Sequence, residues 1–491
     1  MHYKTGSTRE QFILFNNLED SITPDNPVRL IDRLVDKLYA HNTSNYEYKG
    51  QSLMGQKAYP PTLFIKLYLY GYLNRISSSR RLETETHRNI EVKWLLCDMH
   101  PDFKTIADYR KDNKQAIRQT TLEFRKFLIH ESYIEGNKIT YDGSKVKACS
   151  SREKVITTTN LSLRLQNLEK QLDAYLEQLS SNDNVEDLRE DFSTLSMELG
   201  VERSVLEEIS KLKSRIAELE SVQSQMKFEG KTSHCPTDPD ARLMKSRDGH
   251  IPAYNLQTGT DSKHKMIVFS ELSNHTNDIQ LLEDNYHTTV EQTGIEPELL
   301  LADSGYANLQ QIESIESTTR TQCVIPVVEH ATKTKDKKNG ITFTYDEETA
   351  GYRCVEGNIL EYKGNTIHAN MSYKIYRAKK QQCLGCPLRD KCTRSKHGRT
   401  IKIPENENFK NEYLKRMRTA EMKKLIKERK TLIEHVFGTM KRWMGKVPIL
   451  LISQKKVQIE IDLYATAYNL RRLFSIETTP NLLRKIENYA C

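Results

Sequence analysis

Three carboxylates of this chain lie at the ends of predicted strands or on a predicted helix. Asp142 lies in the strand-like run 138–147, Asp303 ends the apolar run 298–302, and Glu434 lies on a predicted helix. Phosphoryl transfer with two metal ions needs about three carboxylates on rigid elements, with the ions roughly 4 Å apart. Hard oxygen ligands favour Mg²⁺ or Mn²⁺. The three residues therefore predict metal-dependent chemistry on phosphates.

The two aspartates differ in their local sequence support. The run LLLA is apolar until it meets Asp303, and Gly305 then frees the backbone to turn. Residues at the carboxyl ends of strands line the ligand crevice of an α/β sheet. The alternative role for Asp303, capping the following helix, is disfavoured because that helix is predicted to begin later. Asp142 precedes Gly143, a pair that by itself predicts an ordinary hairpin turn.

The helix that carries Glu434 has two distinct faces. An apolar stripe at helical spacing predicts packing on a core. Its members are Ile426, Ile433, Phe437, Met440 and Met444. The neighbouring face carries Lys430, Glu434, Gly438 and Lys441. An exposed ion-paired face is one interpretation, but a glycine inside a helix costs about 0.5–1 kcal/mol relative to alanine. Gly438 favours a face that a DNA backbone approaches, with Lys441 and Arg442 contacting phosphates.

The patterns around these residues divide the chain into an N-terminal helical unit and a mixed α/β core with two insertions. In the first insertion, two apolar seams with 4-3-4 spacing are joined by a polar link containing SSNDN, which predicts an antiparallel helical hairpin. Two long helices, 417–444 and 455–475, are predicted to close the chain. The predicted boundaries are 1–135 for the N-terminal unit, 136–154 and 227–329 for the first part of the core, 155–226 for the hairpin, 330–405 for the second insertion and 406–491 for the C-terminal helices of the core.

The N-terminal unit combines apolar helical patterns with scattered arginines. One pattern opens at Pro60 and Pro61, and a second predicted helix, 105–128, follows Asp102. A helical bundle with solvated arginines and a DNA-binding head are both open interpretations.

Four cysteines of the second insertion are candidate zinc ligands. Cys383 and Cys386 form a CxxC pair with Cys392 close behind, and Cys354 is available to complete a tetrahedral site. Zinc binding and a group of unligated reduced thiols both remain open.

The same insertion is strongly basic. Between Lys374 and Lys402 there are ten Lys or Arg residues and one acidic residue, Asp390. This density predicts a surface that faces phosphates rather than a solvated loop. The predicted DNA contacts within it are Lys379, Lys380 and Arg394.

The composition of the 491-residue chain is that of a polar protein with a net charge of +8, which permits a polyanionic partner. No run approaches the roughly 18 apolar residues needed to cross a bilayer. The first residues lack the apolar core of a signal peptide, so we expect a cytoplasmic protein without a membrane partner. Nine cysteines, an odd number, argue for reduced thiols.

Four sequence blocks occur in an order that resembles the insertion-sequence DDE transposases of bacteria. The blocks are YDGSKVKA, LADSGY, RKTLIEHVFGTMKRW and AYNLRRLF. The segment 55–128 is also similar to the helical N-terminal domain of that group. The resemblance implies an RNase H-like core in which Asp142 lies on the first strand, Asp303 follows the fourth strand, and Glu434 lies on a late helix.

The resemblance also implies roles for basic residues near the glutamate. Glu434 and Lys441 meet the E-x6-K spacing of the family. Where relatives often carry a tyrosine and an arginine, this chain has Lys427 and Lys430, with Arg429 adjacent. This chain therefore lacks the tyrosine of those relatives, whereas a cation is still supplied. Tyr306 follows Asp303 closely and is predicted either to stack on a DNA base or to cap the core.

The activity implied by the resemblance is DNA transposition. Water activated by Mg²⁺ or Mn²⁺ would cut at the transposon ends, and the freed 3′ hydroxyl would attack double-stranded target DNA, with positioning and charge stabilisation carrying the reaction. A homodimer associated with the bacterial nucleoid is the expected form. A metal-dependent nuclease on the same fold and an inactive, domesticated DNA-binding relative are the alternatives. A coiled-coil scaffold would explain only residues 155–226.

Overall fold

A computed structural model describes residues 17–41, 58–186, 195–246, 249–327, 335–336, 341–368, 371–404, 407–442, 444 and 449–489 of the chain. Within these residues the protein is a mixed α/β structure with two larger sheets and many helices. The α-helices are α1 Pro27–His41, α2 Pro61–Leu73, α3 Ser79–Arg88, α4 Ile90–Leu95, α5 Phe103–Asp112, α6 Lys114–His130, α7 Thr158–Glu186, α8 Leu195–Phe228, α9 Leu282–Thr293, α10 Leu309–Thr318, α11 Lys380–Leu384, α12 Arg389–Cys392, α13 Glu407–Met417, α14 Ala420–Arg442, α15 Gln454–Phe474 and α16 Thr479–Asn488.

The strands form a core sheet, a second sheet and one short ribbon. They are β1 Lys138–Lys147, β2 Ile156–Thr157, β3 Ser233–His234, β4 Arg242–Ser246, β5 Gly249–Asp261, β6 Ile267–Ser273, β7 Leu299–Leu301, β8 Gln322–Val324, β9 Lys335–Asp336, β10 Ile341–Asp346, β11 Gly351–Cys354, β12 Ile359–His368, β13 Met371–Ala378 and β14 Thr400–Pro404.

The N-terminal helices share one hydrophobic core with the C-terminal helices. Helix α2 is buried along most of its length and packs against α1 and α15, and α1 packs against α16. The predicted helix 105–128 is wrong as a single element, because α5 ends at Asp112 and α6 begins at Lys114. Asn113 between them leaves helical geometry (φ −104°, ψ 52°), as expected of a residue whose side chain competes for backbone hydrogen bonds.

Buried ion pairs fix these helices onto the core. The Arg118 guanidinium on α6 contacts Glu271 on β6 and Asp462 on α15, the latter at 2.7 Å from Nη1 to Oδ1. Arg110 lies 3.5 Å from the buried Glu460 carboxylate. Removing one partner of such a pair strands a buried charge and costs several kcal/mol. Part of the basic charge of this unit therefore stabilises the packing of the helices.

The core sheet combines antiparallel and parallel strands. Its order is β4-β5-β1-β7-β8, and β6 pairs with β5. β1 is antiparallel to β5 and parallel to β7, which is in turn parallel to β8. The runs 253–262 and 265–273 predict paired strands from their sequence. This prediction is confirmed by β5 and β6, which are antiparallel.

Strand β1 does not turn at Asp142-Gly143, so the turn predicted from that pair is wrong. Asp142 pairs with Thr258 and Gly143 with Gln257, and the ladder continues to Lys147. The reason is tertiary: β5 is 13 residues long and offers a hydrogen-bonding partner to all of β1.

Helices α7 and α8 pack against each other as the seam pattern predicts. The start of α7 and the end of α8 share a small apolar core that includes Leu161, Leu165, Leu219 and Met226, and the β2–β3 pair closes the base of the hairpin. The predicted link at SSNDN is wrong in position, because α7 continues to Glu186. Residues 187–194 and the side chains of the seam residues Leu179 and Val205 lie outside the described part of the chain.

The second sheet has the order β14-β13-β12-β11-β10-β9 and its own small core. The two long C-terminal helices are confirmed as α14 and α15, followed by the unpredicted α16. None of the described helices combines the length and the apolar character needed to cross a membrane.

Candidate active site

The register of the core sheet brings Asp142 and Asp303 side by side. The parallel ladder between β1 and β7 ends at the pair Thr140–Leu301, and each aspartate lies two residues beyond its own member of that pair. Because parallel strands rise equally per residue, both carboxylates lie at the same level of the sheet. Two of the three predicted carboxylates are therefore neighbours.

The electrostatics of Asp142 reflect this proximity. Burial, followed by the nearby negative charge of Asp303, raises the pKa of the Asp142 carboxyl from its ordinary value of 3.8 to about 6, against the opposing effect of the Arg429 guanidinium. At neutral pH two like charges face each other. A divalent cation would relieve this repulsion, and the oxygen donors are of the kind that Mg²⁺ and Mn²⁺ prefer.

Asp303 is held by the turn that follows its strand. Its carboxylate accepts a hydrogen bond of 2.8 Å from the Gly305 backbone N–H and caps a single helical turn, Ser304–Tyr306. Helix α10 begins only at Leu309, and its cap is Asn308. The expectation that Asp303 does not cap that helix is confirmed.

Glu434 lies on the exposed side of α14. The predicted apolar stripe is confirmed, because Ile433, Met440 and Met444 are buried and Ile426 and Phe437 pack against the core. Lys430, Glu434 and Gly438 are exposed on the face predicted beside the stripe. In the part of the chain that the structure describes, no three His, Cys, Asp or Glu side chains are arranged to hold a metal ion. The geometry thus joins the two aspartates, whereas Glu434 faces solvent.

Two basic side chains, Arg429 and Lys145, lie near the aspartates and have buried N–H donors without a hydrogen-bond partner among the described residues. The Nε and Nη1 atoms of Arg429 are buried, and neither has a hydrogen-bond partner among the described residues. The Nζ atom of Lys145, on β1, is likewise buried and lies 3.9 Å from Oδ1 of Asp278. Burial lowers the pKa of Lys145, and the surrounding carboxylates oppose that effect. Such donors suit phosphate oxygens.

Sequence reasoning missed Lys145 and Asp278. Lys145 belongs to the YDGSKVKA block and follows Asp142 by three residues, a signal that was available. Asp278 lies in the loop between β6 and α9 and accepts hydrogen bonds from the amides of Asn255 and Gln257. No periodic pattern marks it.

Tyr306 is a core residue in this structure. Its side chain is fully buried, and its hydroxyl donates to Oε1 of Gln257. Burial, followed by the charges of the nearby aspartates, raises its pKa. Of the two roles predicted for Tyr306, this position agrees with capping the core and gives no surface for stacking on a base.

The other predicted DNA contacts fall on exposed positions or beyond the described side chains. Lys379, Lys380 and Arg394 are exposed around the second sheet, and Nζ of Lys379 pairs with Glu361 at 3.2 Å. The side chains of Lys441 and Arg442 lie outside the described residues.

The four cysteines of the second insertion lie close together as free thiols. Cys354, Cys383 and Cys392 pack on the small core of the second sheet, and the Arg399 backbone N–H donates to Sγ of Cys383 at 3.4 Å. Burial raises the pKa of the Cys392 thiol, and the three other cysteines add to the effect, which opposes the thiolate form that zinc needs. These described cysteines do not form a metal-holding group, so the zinc prediction has no support from the structure.

Comparison with known proteins finds two family similarities. Residues 353–474 match the family described as Transposase DDE domain, and residues 16–112 match the Transposase domain (DUF772). The first match includes Glu434 and the second covers α1 to α5, whereas Asp142 and Asp303 lie in neither matched segment. No curated protein and no solved structure matches the chain.

Proposed function

The chain belongs to the DDE transposases of insertion sequences, and from this membership we propose that it cleaves DNA at the ends of its element and joins them to target DNA. The observation that carries the proposal is the register of β1 and β7, which sets Asp142 and Asp303 side by side. Lys145 and Arg429 add unsatisfied cations at the same place. Paired carboxylates with adjacent cations suit a phosphate substrate.

An RNase H-like core is part of this proposal. The sheet places an antiparallel group, β6-β5-β1, next to two strands parallel to β1, namely β7 and β8. Without the edge strand β4, the strands of the core sheet in chain order are β1, β5, β6, β7 and β8. Asp142 lies on the first of these strands and Asp303 follows the fourth, as the family resemblance implies. The strand order supports the proposed fold.

The proposed chemistry assigns a role to each charged residue of the site. DDE transposases generally use divalent metal ions, and Asp142, Asp303 and Glu434 would hold them. When bound, such ions supply activation of the attacking hydroxyl and stabilisation of the leaving oxygen. Lys145 and Arg429 would orient the scissile phosphate, and the exposed α14 face with Lys430 would contact the DNA backbone. Two DNA ends handled together suit a homodimer.

The proposal is tested with purified protein, Mg²⁺, labelled duplexes of the terminal inverted repeats and a target plasmid. We expect cleaved ends and a joined product. Cleavage without joining would indicate a metal-dependent nuclease, and binding without cleavage would indicate an inactive DNA-binding relative. Either result overturns the transposase activity.

Substitutions at Gly438 test the exposed α14 face. A Cβ at residue 438 would meet no described atom within 4 Å, so Gly438→Ala should raise the free energy of unfolding by about 0.5–1 kcal/mol. Gly438→Trp should keep the fold but weaken DNA binding, because the ring occupies the space of the phosphate backbone. Urea unfolding and gel-shift titration measure the two effects. Unchanged DNA affinity in Gly438→Trp would exclude this face from the interface.

Charge removal on the second insertion tests its predicted contact with phosphates. Each phosphate contact contributes about 0.9 to the slope of log K against log salt concentration on duplex DNA. The double variant Lys380→Ala/Arg394→Ala should therefore reduce that slope by about two. Lys170→Ala/Lys213→Ala, on exposed positions of the α7–α8 hairpin, is the matched control. Equal slopes in both variants would contradict a specific role for this surface.

A further inference from the structure

Asp278 is the centre of a hydrogen-bond network close to Asp142 and Asp303. Its Oδ1 atom accepts from Nδ2 of Asn255 at 2.7 Å and from Nε2 of Gln257 at 2.8 Å. Both amides come from β5 and are buried. A carboxylate held by two buried amides has a defined position, because leaving any of these groups unpaired would cost desolvation energy.

A second layer of hydrogen bonds connects this carboxylate to the segment after Asp303. Oε1 of Gln257 accepts from Nδ2 of Asn285 at 2.8 Å and from the hydroxyl of Tyr306. Tyr306 closes the turn that begins at Asp303, and Asn285 lies on α9. The network thus joins β5, α9, the loop of Asp278 and the Asp303 turn.

Gly143 makes room for the Asp278 carboxylate. A Cβ on Gly143 would lie 2.6 Å from Oδ1 of Asp278, closer than real Cβ atoms come, whereas a Cβ on Gly305 would be in ordinary van der Waals contact with its Oδ2 at 3.6 Å. Gly143 directly follows Asp142, and Gly305 lies two residues after Asp303. The Asp142-Gly143 pair is therefore explained by the close approach of a carboxylate to an unbroken strand.

We propose that Asp278 is a positioning residue of the active site, fixing the backbone segments that carry Asp142 and Asp303 so that both carboxylates can bind one divalent ion. The inference rests on the proposed function of those two aspartates. Asp278 also forms an ion pair with Lys145 at 3.9 Å from Oδ1 to Nζ. This one carboxylate therefore positions Asp142, Asp303 and Lys145. It acts on them through its close approach to Gly143 and through the Gln257–Tyr306 hydrogen bonds.

The first test removes the charge of Asp278 without changing its shape. In Asp278→Asn the side-chain oxygen can still accept from Asn255 and Gln257, whereas the negative charge beside Lys145 is lost. On the DNA-free full chain, we expect Mn²⁺ affinity measured by calorimetry to fall about tenfold, a loss of about 1.4 kcal/mol. In cleavage assays the half-saturating Mg²⁺ concentration should rise by a similar factor, and the rate at saturating Mg²⁺ should fall much less. Asp284→Asn, an exposed position of α9, is the matched control.

A second variant separates position from charge. Gly143→Ala keeps every charge but places a methyl group against Oδ1 of Asp278, so it should also lower Mn²⁺ affinity. Because the charge of the site is unchanged in Gly143→Ala, a loss of Mn²⁺ affinity in this variant reports a change of position.

The outcomes distinguish this inference from the proposed function. Wild-type Mn²⁺ affinity in Gly143→Ala overturns the positioning role, and a loss confined to Asp278→Asn would then report only the charge of Asp278. If Asp278→Asn fails to fold, Gly143→Ala still decides the question. A wild-type chain that binds Mn²⁺ without cutting DNA refutes the transposase proposal but leaves the calorimetric test of Asp278 intact.

Discussion

Replacing Asp142 with asparagine is expected to make the folded chain more stable at neutral pH. The folded state raises the pKa of Asp142 from 3.8 to about 6, so it binds the carboxyl proton more tightly than the unfolded state does. Above pH 6 the carboxylate is ionised in both states, and its burial beside Asp303 costs about 2–3 kcal/mol, since one pKa unit equals about 1.4 kcal/mol. Asparagine carries no charge, so the folded variant does not bear the free-energy cost of a buried carboxylate.

The stabilisation expected for Asp142→Asn depends on pH. Below about pH 4 Asp142 is protonated in both states, so the variant and the wild type should have similar free energies of unfolding. Between pH 4 and 6 only the unfolded state ionises, and the advantage of the variant should grow to its full value above pH 6. Urea unfolding at pH 4, 5, 6 and 8 measures this curve. A variant that is less stable than wild type at pH 8 would contradict the buried, repelled state of Asp142.

The same substitution should abolish metal-dependent cleavage. A bound metal ion contributes several kcal/mol to phosphoryl transfer, and each 1.36 kcal/mol is a factor of ten in rate, so a loss of roughly a thousandfold is expected. Asp284→Asn, which removes an exposed aspartate, should cleave at the wild-type rate. A stabilised Asp142→Asn protein that still cuts terminal-repeat DNA would remove Asp142 from the active site.

Glu434→Gln is expected to lose cleavage by a similar factor with almost no change in stability. Glu434 is exposed on α14 and has no ion pair within the described residues. Surface substitutions of this kind usually change the free energy of unfolding by less than about 0.5 kcal/mol. The combination of lost activity and unchanged stability would separate Glu434 from Asp142, whose loss changes both.

The control for Glu434 lies on the same helix. Glu421→Gln removes an exposed glutamate from the first turn of α14 and should leave cleavage unchanged. Cleavage rates under single-turnover conditions with saturating Mg²⁺ compare the two variants. Wild-type rates in Glu434→Gln would falsify its place among the catalytic carboxylates and leave the site to the residues at the sheet edge.

Much of the local structure was predictable from periodicity. The apolar stripe on α14 and the seams of α7 and α8 recur at helical spacing, so each stripe reports the buried face of its own helix. The position of Asp303 was predictable for a related reason, because an apolar strand that stops at a carboxylate marks its own end. The order of these elements and the family blocks that contain them are visible directly in the linear sequence.

The surroundings of the proposed catalytic residues were decided only by the tertiary structure. Asp142-Gly143 indicates a turn in isolation, yet pairing with β5 keeps β1 extended, and Gly143 serves the approach of Asp278 from a loop far along the chain. Tyr306 and Arg118 likewise carry polar groups whose partners come from other elements. Hydrogen bonds and ion pairs between distant segments depend on strand register and helix packing, and a contact between residues more than a hundred positions apart has no period in the sequence. The sequence alone therefore determined which acids end or occupy rigid elements, whereas the folded chain decided which of them meet and what holds them there.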